Sequence, residues 1–207
     1  MKRALILDLD NTIYPVSSVA PHLFNKFFFL LNQEADIDSS ALTKSKDELT
    51  RRPFHDVADE FGFSPALRNK GIEILNNLTC DEPIVPFSDY HHIRKSDLDK
   101  FLVTTGFTKL QYSKVRQLGI ENEFKEIHIV DPEVSPKTKL NIFKELMDKY
   151  NYRASDLLVI GDDPQSEIRA AIALGIDTFL YDPGNKYPGA TTTYRGDSLE
   201  KVLVIIG

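Results

Sequence analysis

The sequence lacks the features that mark several special classes of protein. It has one cysteine, Cys80, in 207 residues, so no disulfide can form within the chain and a structural thiol is expected there. No apolar run approaches the roughly 20 residues that a membrane-spanning helix needs. The first apolar run meets Asp8 too early for the core of a signal peptide. We therefore expect a cytoplasmic protein with no membrane segment.

Charge of one sign is also missing as a block. The 31 acidic and 25 basic residues are mixed along the chain and give a net charge of -6. A basic footprint for a nucleic-acid polymer is absent, which argues against such a partner. With 42% hydrophobic residues, the chain is long enough for one full domain and a smaller inserted one.

One stretch near the start combines an apolar run with two acids. Residues 4–7 are continuously apolar, which is typical of a strand buried on both faces, and Pro15 prevents the strand from continuing. Asp8 and Asp10 follow the run, where ligands bind in parallel sheets. Residues i and i+2 of a strand project to the same side, which brings the two carboxylates close enough to repel each other. A divalent metal bound between them would relieve this repulsion. The alternative is that both acids only start a turn or cap a helix.

The region after this stretch shows helical patterns and no strand. Pro21 is placed to open the first helix, and Gly62 to end the third. Helices are predicted over residues 21–33, 41–51, 54–61 and 64–78.

From residue 84 onward, strand and helix patterns alternate. Strands are predicted over residues 101–105, 126–130, 157–160 and 177–181, with helices over 109–118, 138–150 and 165–174. The pattern predicts an α/β fold: a Rossmann-like parallel sheet of at least five strands, with helices on both faces and an inserted all-helical cap. We assign residues 1–16 and 84–207 to the core domain and 17–83 to the cap. Residues 191–206 end in a helix or a short strand.

Polar groups follow four of these strands, and a parallel sheet places all four ends at one edge. The groups are Asp8 and Asp10, then Thr104 and Thr105, then Lys137, then Asp162 and Asp163. In this order the sequence resembles the haloacid dehalogenase-like (HAD) hydrolase superfamily over nearly its whole length. The stretch Asp8-Leu-Asp10-Asn-Thr12 is similar to the family's D-x-D-x-T motif, and residues 161–167 are similar to its terminal G-D-x-x-x-x-D.

The resemblance implies a Mg²⁺-dependent phosphatase that acts on a small phosphorylated metabolite, a nucleotide or a sugar phosphate. Asp8 would attack phosphorus and form an aspartyl-phosphate, while Asp10 would serve as general acid and base. Mg²⁺ would be held by Asp8, Asp162 and the backbone carbonyl of Asp10. Thr104, Thr105 and Lys137 would hold the phosphoryl oxygens.

Three positions depart from the family pattern or leave a choice. Thr105 stands where many members have Asn, and Glu167 where Asp is commoner. We assign Glu167 a supporting role beside the metal, and Asp163 either that role or the cap of the following helix. Lys139 competes with Lys137 for the lysine position, and the six-residue spacing from Lys137 to Phe143 favours Lys137.

Other functions fit parts of the pattern. Asp10 favours a phosphatase over the family's dehalogenases, which need no proton for an alcohol leaving group. A phosphomutase would share all four motifs. A receiver-like signalling domain also phosphorylates an aspartate beside Mg²⁺, but carries that aspartate on a later strand. A non-catalytic member that binds a partner has no support, since every catalytic position is filled.

Overall fold

The computed structural model describes residues 1–32, 44–46, 48–49 and 52–207. Six strands form one parallel sheet in the order β3-β2-β1-β4-β5-β6. The strands are β1 (Ala4–Leu7), β2 (Asp99–Thr105), β3 (Glu126–Val130), β4 (Leu157–Gly161), β5 (Asp177–Tyr181) and β6 (Tyr194–Gly196). The predicted α/β class and parallel sheet of at least five strands are confirmed, and β6 is a sixth strand in the region where a helix or a short strand was expected.

The first strand is central in the sheet. Ile6 lies in register with Phe101 of β2 on one side and with Val159 of β4 on the other. All four residues of β1 are buried, as the continuous apolar run predicts. Leu5 and Leu7 belong to one hydrophobic cluster and Ala4 and Ile6 to another, because successive strand residues face opposite sides of the sheet.

Eight α-helices have described bounds. They are α1 (Ala20–Asn32), α2 (Phe54–Glu60), α3 (Pro65–Asn77), α4 (Tyr90–Arg94), α5 (Thr108–Leu118), α6 (Lys139–Tyr150), α7 (Glu167–Ala173) and α8 (Lys201–Ile206). Most of the predicted helix over residues 41–51 lies outside the described residues. The part that is described, residues 44–46 and 48–49, is helical. The chain end contains both a strand and a helix, so neither single alternative was complete.

Helices cover both faces of the sheet, as expected. Apolar residues of α6 and α7, including Phe143 and Ala171, pack in the cluster that contains Ile6. On the opposite face, Val115 of α5 and Val202 of α8 pack with Leu5 and Leu7. The same cluster continues into α1, α2 and α3, which lie between β1 and β2 in the chain. The assignment of residues 17–83 to a separate cap remains a prediction.

Helix ends follow local capping chemistry. Ser64 begins α3 by accepting a hydrogen bond from the Leu67 amide at 3.2 Å. Gly119, with φ of +65°, ends α5 in the left-handed conformation that glycine tolerates. The predicted helix over residues 165–174 begins two residues late, because Asp163 Oδ1 accepts from the Gln165 amide in a turn.

Candidate active site

The carboxyl ends of β1, β2 and β4 meet at the centre of one sheet edge. Asp8 follows β1, and its backbone amide donates to the Ile160 carbonyl at 3.0 Å, so the neighbouring strand fixes its position. The residue is 6% exposed. A carboxylate in this position loses most of its hydration and needs a compensating partner.

Lys139 is that partner, and the structure corrects the preference for Lys137. The ammonium of Lys139 donates to Asp8 Oδ1 at 2.6 Å and to Glu167 Oε2 at 2.7 Å. Lys137 lies at the surface, where it pairs with Glu145 at 2.8 Å. The role of Lys139 in holding a phosphate is a proposal, but only this lysine of the two contacts Asp8.

The physical reason is the start of α6. Helix α6 begins at Lys139, and Thr138 caps it together with Asn141. Lys139 therefore lies one turn before Phe143, on the helix face that is buried, whereas Lys137 precedes the helix. Counting residues to Phe143 missed this geometry. The signal that could have identified Lys139 is its spacing, which places it on the same helix face as the apolar residues.

Glu167 is buried beside Lys139. Its Oε2 accepts from Lys139, and its Oε1 accepts from the Asp163 amide at 2.8 Å. A side chain at Gly161 would collide with Glu167, because a Cβ there would lie 2.2 Å from Oε1. Since protein donors occupy both carboxylate oxygens, this geometry suits a residue that orients Lys139 and agrees with the expected supporting role, which stays a prediction.

Asp162 completes a cluster of three acids that suits a metal ion. One carboxylate oxygen from each of Asp8, Asp162 and Glu167 lies within 4.8 Å of the others. Within the described part of the chain, no side chain donates a hydrogen bond to Asp162. Burial, followed by the charges of Asp8 and Glu167, raises the pKa of Asp162 to about 9.

The charges at Asp8 also favour a cation. Burial raises its pKa to about 7, although the charge of Lys139 opposes this effect. Carboxylate oxygens suit Mg²⁺, and a divalent ion would offset the repulsion among the three acids that Lys139 alone does not neutralise. The residues present therefore fit the expected metal. Asp163 lies outside the acidic cluster: it forms a turn with Gln165, and burial raises its pKa.

Asp10 has different surroundings. Lys114 donates to both of its carboxylate oxygens, at 3.0 and 2.9 Å, and Gln111 donates to Oδ2 at 3.1 Å. Tyr14 donates to Oδ1, because Asn11 at φ of +56° turns the chain back after β1. Burial acts to raise the pKa of Asp10, but the Lys114 charge and these hydrogen bonds outweigh it and lower the pKa.

The hydroxyl residues after β2 lie beside Asp10. Thr104 is buried, and its Oγ1 accepts from Gln111 Nε2 at 2.7 Å. The Thr105 carbonyl accepts from the same nitrogen at 3.3 Å. The structure thus brings Thr104 and Asp10 together through Gln111. Sequence reasoning missed Gln111 and Lys114. The signal that could have found them is their i, i+3 spacing, which places two polar residues on the buried face of α5.

Helix α2 reaches the loops around this site. The ring of His55 lies 6.0 Å from the ring of Phe107, which follows β2. Its Nε2 is 3.2 Å from Glu133 Oε1 in the loop after β3, an ion-pair distance whose angles do not make a hydrogen bond. The helical segment between β1 and β2 therefore contacts the edge of the sheet where the acids lie.

Two remaining features of the chain are its cysteine and the character of its helices. Cys80 is a free, buried cysteine, as the structural-thiol interpretation predicts. Among the helices of the described residues, none combines the length and apolar character required to cross a membrane.

The chain is similar in sequence and in structure to several other proteins. The Bacillus subtilis protein YfnB, named a HAD-hydrolase, is 26% identical over 99% of this chain and 95% of its own length. A structure of YfnB bound to magnesium superposes with a TM-score of 0.69 at 20% identity, covering 99% of this chain and 98% of that one. A glyceraldehyde 3-phosphate phosphatase of Methanopyrus kandleri is 24% identical over 86% of this chain and 83% of its own length.

The fold is not confined to proteins named as phosphatases. A 2-haloacid dehalogenase of Pseudomonas syringae has a TM-score of 0.63 at 17% identity, covering 100% of this chain and 98% of that one. Fold similarity at this level does not choose between reactions.

The family model for haloacid dehalogenase-like hydrolases matches residues 5–181, which include β1 except its first residue, the strands β2 to β5 and all the acids of the site. With this match and the ordered motifs at one sheet edge, the resemblance is confirmed: the chain belongs to the haloacid dehalogenase-like hydrolase family.

Proposed function

We propose that the protein is a Mg²⁺-dependent phosphatase that hydrolyses a small phosphomonoester through an aspartyl-phosphate at Asp8. The observation that carries this proposal is the pair of acids after β1. Asp8 contacts Lys139 and belongs to the acidic cluster, and Asp10 lies two residues on and is joined to Thr104 through Gln111. The nucleophile and the acid/base group are thus separate carboxylates with separate partners.

The first half of the reaction phosphorylates Asp8. A carboxylate oxygen of Asp8 attacks phosphorus, and the bond from phosphorus to the ester oxygen breaks. The leaving alcohol takes the proton that Asp10 carries in the substrate complex, where the negative phosphoryl group opposes the Lys114 charge and raises the pKa of Asp10. Lys139, Thr104 and Thr105 hold the phosphoryl oxygens. Asp8, Asp162 and the Asp10 carbonyl would hold Mg²⁺, which neutralises charge between carboxylates and phosphate when bound.

The second half releases phosphate. Asp10, now ionised, takes a proton from water, and the water oxygen attacks the phosphorus of the aspartyl-phosphate. The bond between phosphorus and the Asp8 oxygen breaks, which restores the carboxylate and frees inorganic phosphate. This use of Asp10 requires an ionisable side chain, and an amide there would stop both proton transfers.

The substrate is a small phosphorylated metabolite, with nucleotides and sugar phosphates as the leading classes. Helix α2 contacts the loops of the site through His55, so a bound substrate would be enclosed by the helical segment as well as by the sheet edge. Enclosure of this kind excludes water and restricts substrate size. The phosphatase name of the Methanopyrus kandleri relative also supports a sugar phosphate.

The experiment is phosphate release from a panel with Mg²⁺, comparing wild type with Asp8→Asn. The panel contains nucleoside monophosphates, sugar phosphates including glyceraldehyde 3-phosphate, and 2-chloropropionate with halide release as the readout. We expect phosphate release by wild type alone, loss of activity on chelation, and phosphate trapped on the peptide that contains Asp8.

Three results would count against the proposal. Halide release without phosphate release would identify a dehalogenase. Transfer of phosphate between two positions of a sugar, with no free phosphate formed, would identify a phosphomutase. Release of nothing from the panel would also remove the support for a general phosphatase.

A further inference from the structure

Helix α5 buries three polar side chains that the family motifs do not include. Two of them, Gln111 and Lys114, contact Asp10, while Ser113 bonds to backbone groups. Gln111 is 1% exposed and Lys114 is 5% exposed, on a face that also contains Leu110, Val115 and Leu118. Burying an ammonium or an amide is costly unless each finds a polar partner. Both residues find Asp10, so their burial is explained by the site and not by the core.

Gln111 links two groups with different tasks. Its Nε2 lies 2.7 Å from Thr104 Oγ1 and 3.1 Å from Asp10 Oδ2. Because the Thr104 oxygen accepts from Gln111, the Thr104 hydroxyl hydrogen remains available to a different acceptor. The phosphoryl group that Thr104 is proposed to bind is such an acceptor.

Lys114 and Tyr14 complete the surroundings of Asp10. Oδ1 accepts from Lys114 and Tyr14, and Oδ2 accepts from Lys114 and Gln111. A carboxylate has about four lone-pair positions, so these donors fill its capacity. The Asp10 carboxylate is therefore held in one orientation, and a leaving group or a water reaches it only by replacing one donor.

The chain also provides the space that this arrangement needs. Gly106 follows the two threonines with φ of +148°, and a Cβ at this position would lie 3.1 Å from the Gln111 side chain. A Cβ there would press against Gln111, which would have to shift by a few tenths of an ångström. The φ value and this contact both favour glycine at position 106.

We infer that Gln111 and Lys114 are positioning residues of the reaction: Lys114 holds the Asp10 carboxylate, and Gln111 turns the Thr104 hydroxyl toward the phosphoryl group. The inference rests on the proposed phosphatase function and adds two residues to it. Gln111 is the donor that gives way to substrate at least cost, since it keeps its bond to Thr104 when it leaves Asp10.

The test for Lys114 separates proton transfer from the rest of the reaction. The rate of Asp8 phosphorylation is measured in single turnovers with an alkyl phosphate, whose alcohol needs a proton, and with p-nitrophenyl phosphate, whose phenolate leaves without one. We expect Lys114→Met to slow the alkyl phosphate by about 100-fold and the aryl phosphate by less than about threefold. Lys114→Arg should recover most of the loss, because it keeps the charge.

The test for Gln111 uses an isosteric change of hydrogen-bond polarity. In Gln111→Glu a carboxylate replaces the donor, so the Thr104 hydroxyl donates to the new side chain and no longer to phosphate. We expect inhibition by inorganic phosphate to weaken by about tenfold. Lys109→Met is the matched control, because Lys109 is an exposed residue of the same helix.

The outcomes distinguish the inference from the proposed function. If wild type phosphorylates Asp8 with neither substrate, the proposed function fails and the inference falls with it. If wild type is active and the Lys114 and Gln111 variants behave like Lys109→Met, the inference alone is wrong. An equal loss with both substrates in Lys114→Met would show a structural role and would also overturn it. If Lys114→Met does not fold, Lys114→Arg and Gln111→Glu decide the outcome.

Discussion

Asp8 and Asp10 are two residues apart and have opposite electrostatic surroundings. Asp8 shares one cation, Lys139, with Glu167 and lies near Asp162. Burial raises the pKa of Asp8 to about 7. For Asp10, the charge of Lys114 and hydrogen bonds from Lys114, Tyr14 and Gln111 overcome the effect of burial and lower the pKa. The same side chain in the same loop is thus given two protonation behaviours by its neighbours.

The difference shows how a repeated residue type acquires separate tasks. Around Asp8, two acids share one ammonium and a third acid, Asp162, lies in the same cluster, which leaves negative charge for a metal ion to neutralise. Around Asp10, the donors satisfy the carboxylate completely and fix its direction. A nucleophile with spare negative charge and a positioned acid/base group are the two components that phosphoryl transfer needs.

The largest effect is expected from removing the cation on the Asp8 side. Lys139→Met leaves Asp8 and Glu167 without their shared partner and removes a donor from the proposed phosphoryl site. We expect kcat/KM for a phosphomonoester to fall by about 10² to 10³. The matched control is Lys137→Met, which removes an exposed pair with Glu145 and should change kcat/KM by less than about twofold.

This pair of variants also decides between the two lysines directly. A greater loss from Lys137→Met than from Lys139→Met would restore the original assignment and contradict the geometry of α6. Thermal unfolding of both variants must accompany the kinetics, since a buried ion pair is lost only in Lys139→Met.

A smaller effect is expected from removing one donor on the Asp10 side. Tyr14→Phe deletes the hydroxyl that donates to Asp10 Oδ1 in a fully buried position. We expect the free energy of unfolding to fall by about 2 kcal/mol, the range for a hydrogen bond to a charged group. Urea unfolding measures it.

A double-mutant cycle isolates this bond. In an Asp10→Ala background the hydroxyl has lost its carboxylate partner, so Tyr14→Phe should cost clearly less there. An equal cost in both backgrounds would mean that Tyr14 contributes through packing alone.

The smallest effect concerns pH and metal on the Asp8 side. In metal-free protein, the raised pKa values of Asp8 (about 7) and Asp162 (about 9) mean that the folded state keeps protons which the unfolded chain releases. The contribution of these groups to the free energy of unfolding is therefore full below about pH 4 and decreases as pH rises to about 9. Between about pH 7 and 9, Asp162 dominates this decrease.

Denaturant unfolding after chelation, with and without Mg²⁺, measures this dependence. Asp162→Asn should flatten the curve between about pH 7 and 9 relative to wild type. At pH 8, Mg²⁺ at ten times its dissociation constant should stabilise wild type by about 1.4 kcal/mol. The same Mg²⁺ concentration should stabilise wild type less at pH 5 and should not stabilise Asp162→Asn. Equal pH curves for the two proteins would contradict the raised pKa of Asp162.

Particular residues show where sequence reasoning succeeded. The run from Ala4 to Leu7 predicted a strand buried on both faces, and the structure places it at the centre of the sheet. Local pattern was sufficient there, because period, burial and the acids at its end all depend on adjacent residues. The sixth strand, Tyr194–Gly196, was only one of two alternatives for the chain end, because three residues carry too little periodicity to choose.

Other residues show where it failed. Lys137 and Lys139 are equivalent in composition and differ only in their position relative to the start of α6. Gln111 and Lys114 resemble any polar residues of an amphipathic helix until the helix is packed against β2 and the Asp10 turn. Their shared partner, Asp10, lies about one hundred positions away in the chain, a distance over which no sequence spacing is informative.

The sequence by itself determined the order of strands and helices, the motif positions of Asp8, Asp10, Thr104 and Asp162, and the family, because these follow from local periodicity and from short spacings between neighbours. Only the tertiary structure decided which lysine reaches Asp8, which groups Glu167 and Asp163 contact, and why the two aspartates differ. Those outcomes depend on burial and on contacts between distant segments, which set the cost of a charge and the side chain that offsets it.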